Sequence, residues 1–197
     1  MVRALVVYCH PCEESFVAVV RECVVTALAD AGHTVDLVDL YADGFDPRLS
    51  AQEHTDHRAD PSTKPAALVY ADRLRQCEMI VLVYPTWWGG QPAMLKGWLE
   101  RTWVNGVSSQ LPAGGGPPKA LLHNVRRIVA VTTHGSSKWI NAVEGEGGKR
   151  TVTRAMRASC GWRCRTRWLA MYGVDASTPA QRQQFLDQIS RQLRRAR

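Results

Sequence analysis

The apolar run MIVLVY, residues Met79–Tyr84, is the feature that most constrains how this chain folds. It contains no charged residue, and it stops at Pro85. A short apolar run of this kind is typical of a strand that is buried on both faces of a parallel sheet. Because such sheets need helices on both sides, the rest of the chain should alternate strands with helices.

Helical patterns lie between the segments with strand character. Apolar residues within Phe16–Ala31 recur at the three-and-four spacing of one helix face, and Gly32 follows as a stop signal. A last helix is predicted from Thr178 as its cap, Pro179 at the first helical position and a capping box completed by Gln181. The predicted strands are Arg3–Tyr8, Thr34–Leu40, Met79–Tyr84, Arg127–Thr133 and Arg165–Tyr172.

This alternation predicts an α/β fold, a three-layer sandwich in which right-handed crossovers connect five parallel strands. With 197 residues, the chain is long enough for one well-cored domain and too short for two, so we expect residues 1–197 to form a single domain. Two stretches interrupt the pattern: a polar loop over Ala42–Lys64 and a glycine- and proline-rich loop over Asn105–Pro118. Loops of this length are often functional lids, or else disordered.

The composition excludes several classes of protein. Hydrophobic residues make up 45% and charged residues 22% of the chain, which is ordinary for a soluble globular protein. The N-terminal segment lacks the apolar region and cleavage site of a signal peptide, and no apolar stretch approaches the roughly 18 residues of a membrane span. We therefore expect a cytoplasmic protein whose six cysteines are thiols.

Positive charge is concentrated towards the end of the chain. The formal net charge is +7, and no acidic residue occurs between Gly147 and Val174. A basic surface of this kind suits a phosphate-bearing ligand. The alternative is a solvated helix face whose cations lie near a helix end. The cations of this basic stretch are Lys149, Arg150, Arg154, Arg157, Arg163, Arg165 and Arg167.

Ligands of open parallel sheets bind at the carboxyl ends of the strands, so the segments that follow the strands form the candidate site. The first strand is followed by CHPCEESF, the third by PTWWGGQPAMLKGW and the fourth by HGSSKW. Ser15 is placed to cap the first helix, whose free amides and dipole suit a phosphate. The remaining candidates offer aromatic walls, close backbone approach and hydroxyls, which together predict a phosphorylated planar ligand. They are Trp87, Trp88, Trp139, Gly89, Gly90, Gly135, Thr132 and Thr133.

Cysteine spacing offers two further hypotheses. Cys9 and Cys12 form a C-x-x-C motif at the end of a strand, where thioredoxin-like enzymes keep their redox dithiol. A thiol oxidoreductase is therefore one alternative, in which a helix starting near Glu13 would lower the pKa of Cys12. A zinc site that adds Cys160 and Cys164 is weaker, because the spacing of the second pair is common by chance. We expect no metal.

Three of the strand-end segments resemble the flavodoxin-like NAD(P)H:quinone oxidoreductases. CHPCEESF is similar to the family's HP…SF opening, and VTTHGS is similar to its TTGGS turn. YPTWWGGQPAMLKGWLERTW looks very like the loop and helix that follow the third strand, and it is the most specific of the three. The matches cover most of residues 1–140 in the same order, whereas residues 141–197 carry no motif. The chain looks more like the compact bacterial members than the longer animal enzymes.

The resemblance implies a flavodoxin-like sheet of strand order 2-1-3-4-5 and a homodimeric enzyme that binds FAD or FMN. It also implies a ping-pong transfer of hydride from NADPH or NADH, through the flavin, to a quinone or similar acceptor. By position, the first segment would contact the phosphate and ribityl region, the second would hold the ring with backbone amides, and the third would close the ring's other edge. The implied cofactor-binding residues are His10, Ser15, Phe16, Pro85, Thr86, Trp87, Trp88, Gly89, Thr132, Thr133, His134 and Gly135.

The sequence also departs from the family. Val17 stands where an asparagine often follows Ser-Phe, and His134 replaces a glycine. The tyrosine and histidine that assist hydride transfer in animal members have no clear counterpart. His134 and Trp139 are the nearest candidates for catalysis, although a tryptophan cannot act as an acid.

Alternatives to the enzyme are a flavodoxin-type electron carrier and a regulatory redox-sensing subunit. For the enzyme, Lys149 and Arg150 would attract the phosphates of NADPH. The expected acceptor is a small quinone-like molecule. Neither a nucleic-acid partner nor a membrane span is expected.

Overall fold

The computed structural model describes residues 1–56, 65–112 and 114–195, and this part of the chain contains seven strands. They are β1 Arg3–Tyr8, β2 Thr34–Asp39, β3 Met79–Pro85, β4 Ser109–Gln110, β5 Lys119–Ala120, β6 Arg127–His134 and β7 Arg165–Tyr172. Five of them form one parallel sheet in the order β2-β1-β3-β6-β7, and β4 and β5 pair separately as an antiparallel ribbon. Once that ribbon is set aside, this is the predicted order 2-1-3-4-5, and the predicted fold class is confirmed.

Helices cover both faces of the sheet. They are α1 Phe16–Asp30, α2 Ala51–Thr55, α3 Pro65–Gln76, α4 Ala93–Thr102, α5 Lys138–Val143, α6 Gly147–Arg150, α7 Arg157–Cys160 and α8 Pro179–Arg194. A π-helical segment, Thr151–Met156, joins α6 to α7, and a 3-10 turn, Val174–Ala176, precedes α8. Helices α1 and α8 pack on one face, whereas α3, α4 and the α6–α7 segment pack on the other. None of the helices in the described ranges is long and apolar enough to cross a membrane.

The central strand β3 shows why the sheet is closed on both sides. All seven of its residues are buried. Ile80 and Leu82 join the core under α3 and α4, whereas Val81 and Val83 join the core under α1 and α8. Because alternate side chains point to opposite faces of a strand, each face needs its own apolar cover. The unbroken apolar run therefore specifies the three layers.

Side-chain caps fix where the two helices on the α1–α8 face begin. The Ser15 hydroxyl oxygen accepts the Ala18 amide at 3.1 Å, which sets the start of α1. At α8, the Thr178 hydroxyl accepts the Gln181 amide at 3.3 Å, and the Gln181 side chain accepts the Thr178 amide at 2.8 Å. Both caps agree with the sequence predictions, and each contributes about 1 kcal/mol to helix stability.

The two predicted loops contain structure that the sequence interpretation did not include. Within Ala42–Lys64, Ser50 and Glu53 form a capping box that starts α2. Arg101 on α4 pairs with Glu53 at 2.7 Å, which ties this segment to the body of the fold. Residues 57–64 of that loop, and residue 113 of the second loop, lie outside the described residues. The Ser-x-x-Glu spacing was the signal that predicts α2.

Candidate functional site

Three strand-end segments converge on one cavity at the carboxyl edge of the sheet, which we call the carboxyl-edge cavity. It has a volume of about 670 Å³. Its walls come from the segments after β1, β3 and β6, together with the 3-10 turn and the start of α8. The lining residues are His10, Ser15, Phe16, Val17, Pro85, Thr86, Trp87, Trp88, Thr133, Gly135, Val174, Asp175 and Arg182.

The segment after β1 presents the start of α1 to the cavity. Ser15, Phe16 and Val17 line it, so the first-turn amides of α1 open onto it. The Cys12 amide donates to His10 Nδ1 at 3.0 Å, which holds the ring in this tight loop. The His10 ring lies 6.2 Å from that of Trp87, measured between centroids. A helix N-terminus beside a confined aromatic wall suits a ligand with a phosphate and a planar ring.

The segment after β3 forms a tight turn over Trp87–Gly90. The Trp87 and Gly90 backbones exchange hydrogen bonds of 3.1 and 3.0 Å, and both central residues, Trp88 (φ 49°) and Gly89 (φ 67°), have left-handed backbones. A left-handed backbone costs roughly 1 kcal/mol for a residue with a Cβ, so Trp88 is strained there. Its side chain is fully exposed. The turn therefore places an exposed tryptophan side chain at the cavity that it lines.

Glycines let the Trp87–Gly90 turn rest on α6. The Gly148 amide donates to the Gly89 carbonyl at 3.1 Å, and Gln91 Nε2 donates to the Gly148 carbonyl at 2.9 Å. A Cβ on Gly148 would lie 3.3 Å from the Gly90 Cα, tighter than most such contacts. The approach therefore needs small residues on both sides, and it fixes the turn at the mouth of the cavity.

Behind the cavity wall, a hydrogen-bond network holds His134. Asn141 Nδ2 donates to Ser136 Oγ at 2.8 Å and to the Ser137 carbonyl at 2.9 Å. Its Oδ1 is therefore the acceptor for His134 Nδ1, 2.7 Å away. Because Nδ1 carries the proton in this arrangement, the Nε2 of a neutral ring can only accept.

Because His134 Nε2 can only accept a hydrogen bond, it fixes the orientation of two hydroxyl groups beside the cavity. Thr86 Oγ1 lies 3.3 Å from Nε2 and donates to it, and Thr132 Oγ1 lies 2.8 Å from Thr86 Oγ1 and donates in turn. Burial lowers the pKa of His134, opposed by the Asn141 hydrogen bond and the nearby Glu146. A neutral ring is therefore favoured near neutral pH, and Thr86 presents an oxygen lone pair, not a proton, to the cavity.

Three residues near α8 line the cavity although no motif points to them. Arg182 Nε donates to Ser177 Oγ at 2.8 Å, and its guanidinium lies 5.2 Å from the Phe16 ring centroid. Asp175 Oδ2 would lie 2.8 Å from a Cβ on Gly135, so the glycine leaves room for this carboxylate. Val174 completes the wall. The cavity lining thus includes the positive charge of Arg182 near the α1 N-terminus and the negative charge of Asp175 near the end of β6.

The structure brings together most of the residues expected from the sequence. Nine of the twelve implied cofactor-binding residues line the carboxyl-edge cavity. The other three lie behind the lining: Thr132 and His134 are buried in the hydroxyl–imidazole network, and Gly89 faces α6. Trp139, the weak catalytic candidate, is not part of the lining and is largely exposed on α5.

The cysteine hypotheses find no support in this geometry. Cys9 is fully buried, and burial raises the pKa of its thiol to about 12, so it stays protonated and unreactive. Cys12 is exposed, and the two form no disulfide. Cys160 and Cys164 are buried in the same core as Cys9, and no group of three or more potential metal ligands converges within the described ranges.

The basic stretch divides between the two ends of the sheet. Lys149 and Arg150 follow Gly148 at the carboxyl edge, where Lys149 pairs with Glu146 at 2.7 Å. Arg165 and Arg167 lie at the start of β7, at the amino edge. Lys149 and Arg150 therefore lie towards the edge that holds the carboxyl-edge cavity, although neither lines it.

Comparisons with known proteins agree with this architecture. Residues 2–196 match the family described as having a flavodoxin-like fold. NAD(P)H dehydrogenase (quinone) 1 of Cavia porcellus is 27% identical over 204 residues, covering 93% of this chain and 73% of that protein. A crystal structure from Streptococcus mutans UA159 is 26% identical with a TM-score of 0.84, covering 98% of this chain and 99% of that one.

A more distant structure shares the fold. It is an FMN-dependent NADH-azoreductase from Bacillus anthracis in complex with FMN, 14% identical with a TM-score of 0.79, covering 100% of this chain and 99% of that one. These comparisons confirm the resemblance stated from the sequence and the assignment to the oxidoreductases. The chain belongs to the family of flavodoxin-like fold, and its relatives there include NAD(P)H-dependent quinone oxidoreductases.

Proposed function

We propose that this chain binds a flavin in the carboxyl-edge cavity and reduces a quinone or similar small acceptor at the expense of NAD(P)H. The observation that carries the proposal is the polarity of that cavity. At one end lie the α1 N-terminus and the Arg182 guanidinium, which are positively charged. At the other end lie the aromatic Trp87–Gly90 turn and strand ends that carry hydroxyl groups. FMN has a matching arrangement, with a phosphate at one end and a planar ring at the other, and so does the FMN half of FAD.

The phosphate end is built from two independent features. The first-turn amides of α1 offer donors and the positive end of the helix dipole. Arg182 adds a full charge, and its bonds to Ser177 Oγ and the Val174 carbonyl hold the guanidinium in place. Because the position is fixed before binding, little side-chain entropy is lost when a phosphate arrives.

The ring end is built from backbone and aromatic groups. The Thr86 amide donates to the Thr133 carbonyl and the Trp87 amide to the Gly90 carbonyl, so both are occupied. Within the described residues, the amides of Trp88 and Gly89 find no acceptor, which leaves them available to a ring oxygen or nitrogen. A bound flavin would supply two-electron hydride chemistry between a nicotinamide and an acceptor.

The protein's own contribution is orientation and fixed dipoles. The amides of Trp88 and Gly89 can face negative charge on a ligand, and they need no reorganisation because α6 holds the turn. Thr86 offers only a lone pair, since its proton is committed to His134. No buried acid with access to the cavity occurs among the described lining residues, so acceptor protonation falls to solvent or to the exposed Asp175.

The coenzyme is proposed to approach past α6. Arg150 is exposed beside the Trp87–Gly90 turn, whereas the charge of Lys149 is partly offset by Glu146. Arg150 is therefore the more effective attractor for the extra phosphate of NADPH. Reversing both charges should raise the KM for NADPH several-fold and leave that for NADH unchanged, and an equal effect on both would contradict this role.

A second copy of the chain is proposed to cover the mouth of the cavity. Trp139 and Val143 on α5 are mostly exposed, and so is Trp88. Glu144, at the end of α5, lies within 3.8 Å of where a Cβ of Gly89 would stand, so these apolar groups belong to one region. Exposed apolar groups that cluster are typical of protein interfaces. Light scattering of the purified protein would test this homodimer.

Steady-state turnover tests the proposed activity. The protein, supplied with FMN or FAD, should oxidise NADPH rapidly only when a quinone is present, and double-reciprocal plots should be parallel, as the ping-pong order requires. An electron carrier would bind flavin and show little NADPH oxidation by itself. A flavin-loaded protein that turns over no faster than free flavin would therefore contradict the enzyme and favour the carrier.

A further inference from the structure

A second recess lies at the opposite end of the sheet, at the starts of β6 and β7, and we call it the amino-edge recess. Its volume is about 260 Å³. Four of its eight lining residues are arginines, and none is acidic. The lining residues are Arg127, Val129, Arg165, Arg167, Leu169, Gln192, Leu193 and Arg195.

The recess lies where the apolar stripe of α8 ends. Leu169 and Met171 of β7 pack in the core with the apolar stripe of α8, which ends at Leu193. Alternate residues of a strand share a face, so Arg165 and Arg167 continue the same row beyond that cover. The helix ends at Arg194, and Arg195, the next residue, lines the recess together with these two strand arginines. A covered position there would be apolar; the chain has arginines instead.

Three of the arginines that line the amino-edge recess have no acidic partner among the described residues. Arg165, Arg167 and Arg195 form no ion pair within residues 1–56, 65–112 and 114–195. By contrast, Arg194 on the same helix end points away and pairs with Asp30 at 2.8 Å. The C-terminal end of a helix dipole carries about half a negative charge, so it offsets only a small part of this cluster.

The arginines that line the recess are close enough for their charges to interact. Burial, together with the charges of Arg165 and Arg167, lowers the pKa of Arg127. Val129, Leu169 and Leu193 give the recess an apolar floor, which weakens screening and strengthens each charge interaction. A solvated face would let such side chains spread apart. Here they converge, and an anion placed among them would replace repulsion by attraction.

We propose that the amino-edge recess binds the phosphate group of a small soluble phosphorylated molecule. Guanidinium groups match a phosphate because their planar forks donate two parallel hydrogen bonds, and several forks around one recess can saturate its oxygens. The volume of about 260 Å³ admits a phosphate with a small organic substituent and is below the range of about 300–1,000 Å³ of sites for larger ligands.

This recess is separate from the carboxyl-edge cavity. Strand β7 runs from one to the other over eight residues, Arg165 to Tyr172, a rise of about 23 Å at 3.3 Å per step. The sheet and α8 lie between the two. A flavin bound at the carboxyl edge therefore leaves the recess open, and the arginines of β7 serve a different ligand from Arg182.

The test compares two double variants of equal charge. In Arg165→Gln/Arg167→Gln, two lining arginines are removed; in Arg154→Gln/Arg191→Gln, two exposed arginines outside the recess are removed. Inorganic phosphate and phenyl phosphate are titrated by calorimetry at constant ionic strength into the full chain saturated with FMN, so that the carboxyl-edge phosphate site is filled. We expect both anions to bind, and the first variant to weaken binding at least about tenfold while the second changes it less than about twofold.

Three results would overturn the proposal. The first is absence of phosphate binding to the unmodified protein, and the second is an equal loss in both double variants, which would indicate general charge attraction. The third is binding only to vesicles with anionic lipid or to an oligonucleotide, which would make the surface a macromolecular contact. Flavin absorbance recorded on the same samples keeps this outcome distinct from a failure of the proposed function.

Discussion

The two edges of the central sheet differ in how their recesses are built. At the carboxyl edge, short segments after β1, β3 and β6 fold over one another, and backbone amides, hydroxyls and a neutral histidine line or support the cavity. At the amino edge, the described lining comes from β6, β7 and the end of α8, and half of it is arginine. Hydrogen bonds thus fix the shape of the carboxyl-edge cavity, whereas arginine charges dominate the lining of the amino-edge recess.

This difference predicts different responses to change. A cavity made of close backbone approaches should be lost when a side chain is enlarged, and it should depend on pH through His134. A recess made of arginines should tolerate shape changes and depend on salt, because guanidinium groups stay charged at all accessible pH values. The following predictions test that contrast, from the largest expected effect to the smallest.

Gly135→Val should have the largest effect. Gly135 lines the cavity, where a Cβ would displace the Asp175 carboxylate that lies 2.8 Å away, and valine would add two further methyl groups to this lining. We expect flavin affinity to fall about 30-fold or more, corresponding to about 2 kcal/mol of overpacking. Gly114→Val is the matched control, because nothing lies within 4 Å of a Cβ there. Unchanged flavin affinity in Gly135→Val, measured by fluorescence titration, would contradict the position of the cavity.

Arg182→Gln should separate the phosphate end from the ring end. Removing one charge-assisted contact costs about 1.5 kcal/mol or more, so the Kd for FMN should rise about tenfold. Riboflavin has the same ring and no phosphate, so its affinity should change less than about twofold. Arg191→Gln on the same helix is the control. Equal losses for FMN and riboflavin would show that Arg182 supports the fold and does not meet the phosphate.

His134→Gln should make the carboxyl edge less sensitive to acid. Burial lowers the pKa of His134, so the unfolded chain takes up this proton first as the pH falls. The contribution of His134 to the free energy of unfolding is therefore fully present above the ordinary histidine pKa of about 6.5, and it declines as the pH falls below that value. His33, whose pKa burial also lowers, contributes with the same sign.

Urea unfolding at pH 7.5 and 5.5 checks this prediction. The variant should lose about 1–2 kcal/mol at pH 7.5, because Thr86 and Asn141 lose a partner, and it should show a smaller further loss at pH 5.5 than the natural chain. An identical loss on acidification in both proteins would contradict a buried neutral imidazole at this position.

Trp88→Asn should have the smallest effect, and its two readouts should move in opposite directions. Asparagine tolerates the left-handed backbone that Trp88 adopts at φ 49°, so the variant should gain up to about 1 kcal/mol in free energy of unfolding. Because the exposed side chain is proposed to contact the ring or a second copy, flavin affinity or dimer formation should fall. A variant that is less stable as a monomer would contradict the strain at this turn.

Most of the fold follows from periodicity in the sequence. The run Met79–Tyr84 specified a buried central strand, and the spacing of Thr178 and Gln181 specified the start of α8. These signals are local, since each is contained within a few residues. The capping box of Ser50 and Glu53 was equally local and was overlooked because a polar composition suggested a loop.

The parts that sequence could not predict depend on distant contacts. Arg182 meets Phe16 across 166 positions of the chain, and only packing of α8 against α1 brings them together. The amino-edge recess depends on where the end of α8 packs against β6 and β7, which no motif records. His134 was predicted to help close one edge of the ring; it is not part of the cavity lining, and it hydrogen-bonds to Thr86, which is.

The visible spectrum of the purified protein during anaerobic titration with NADPH would show whether the carboxyl-edge cavity holds a flavin. We expect flavin absorption bands, or their appearance on adding FMN or FAD, that bleach with one NADPH per chain. Heat release of the cofactor would then identify it as FMN or FAD. A colourless protein that neither flavin reconstitutes would contradict the carboxyl-edge cavity as a flavin site.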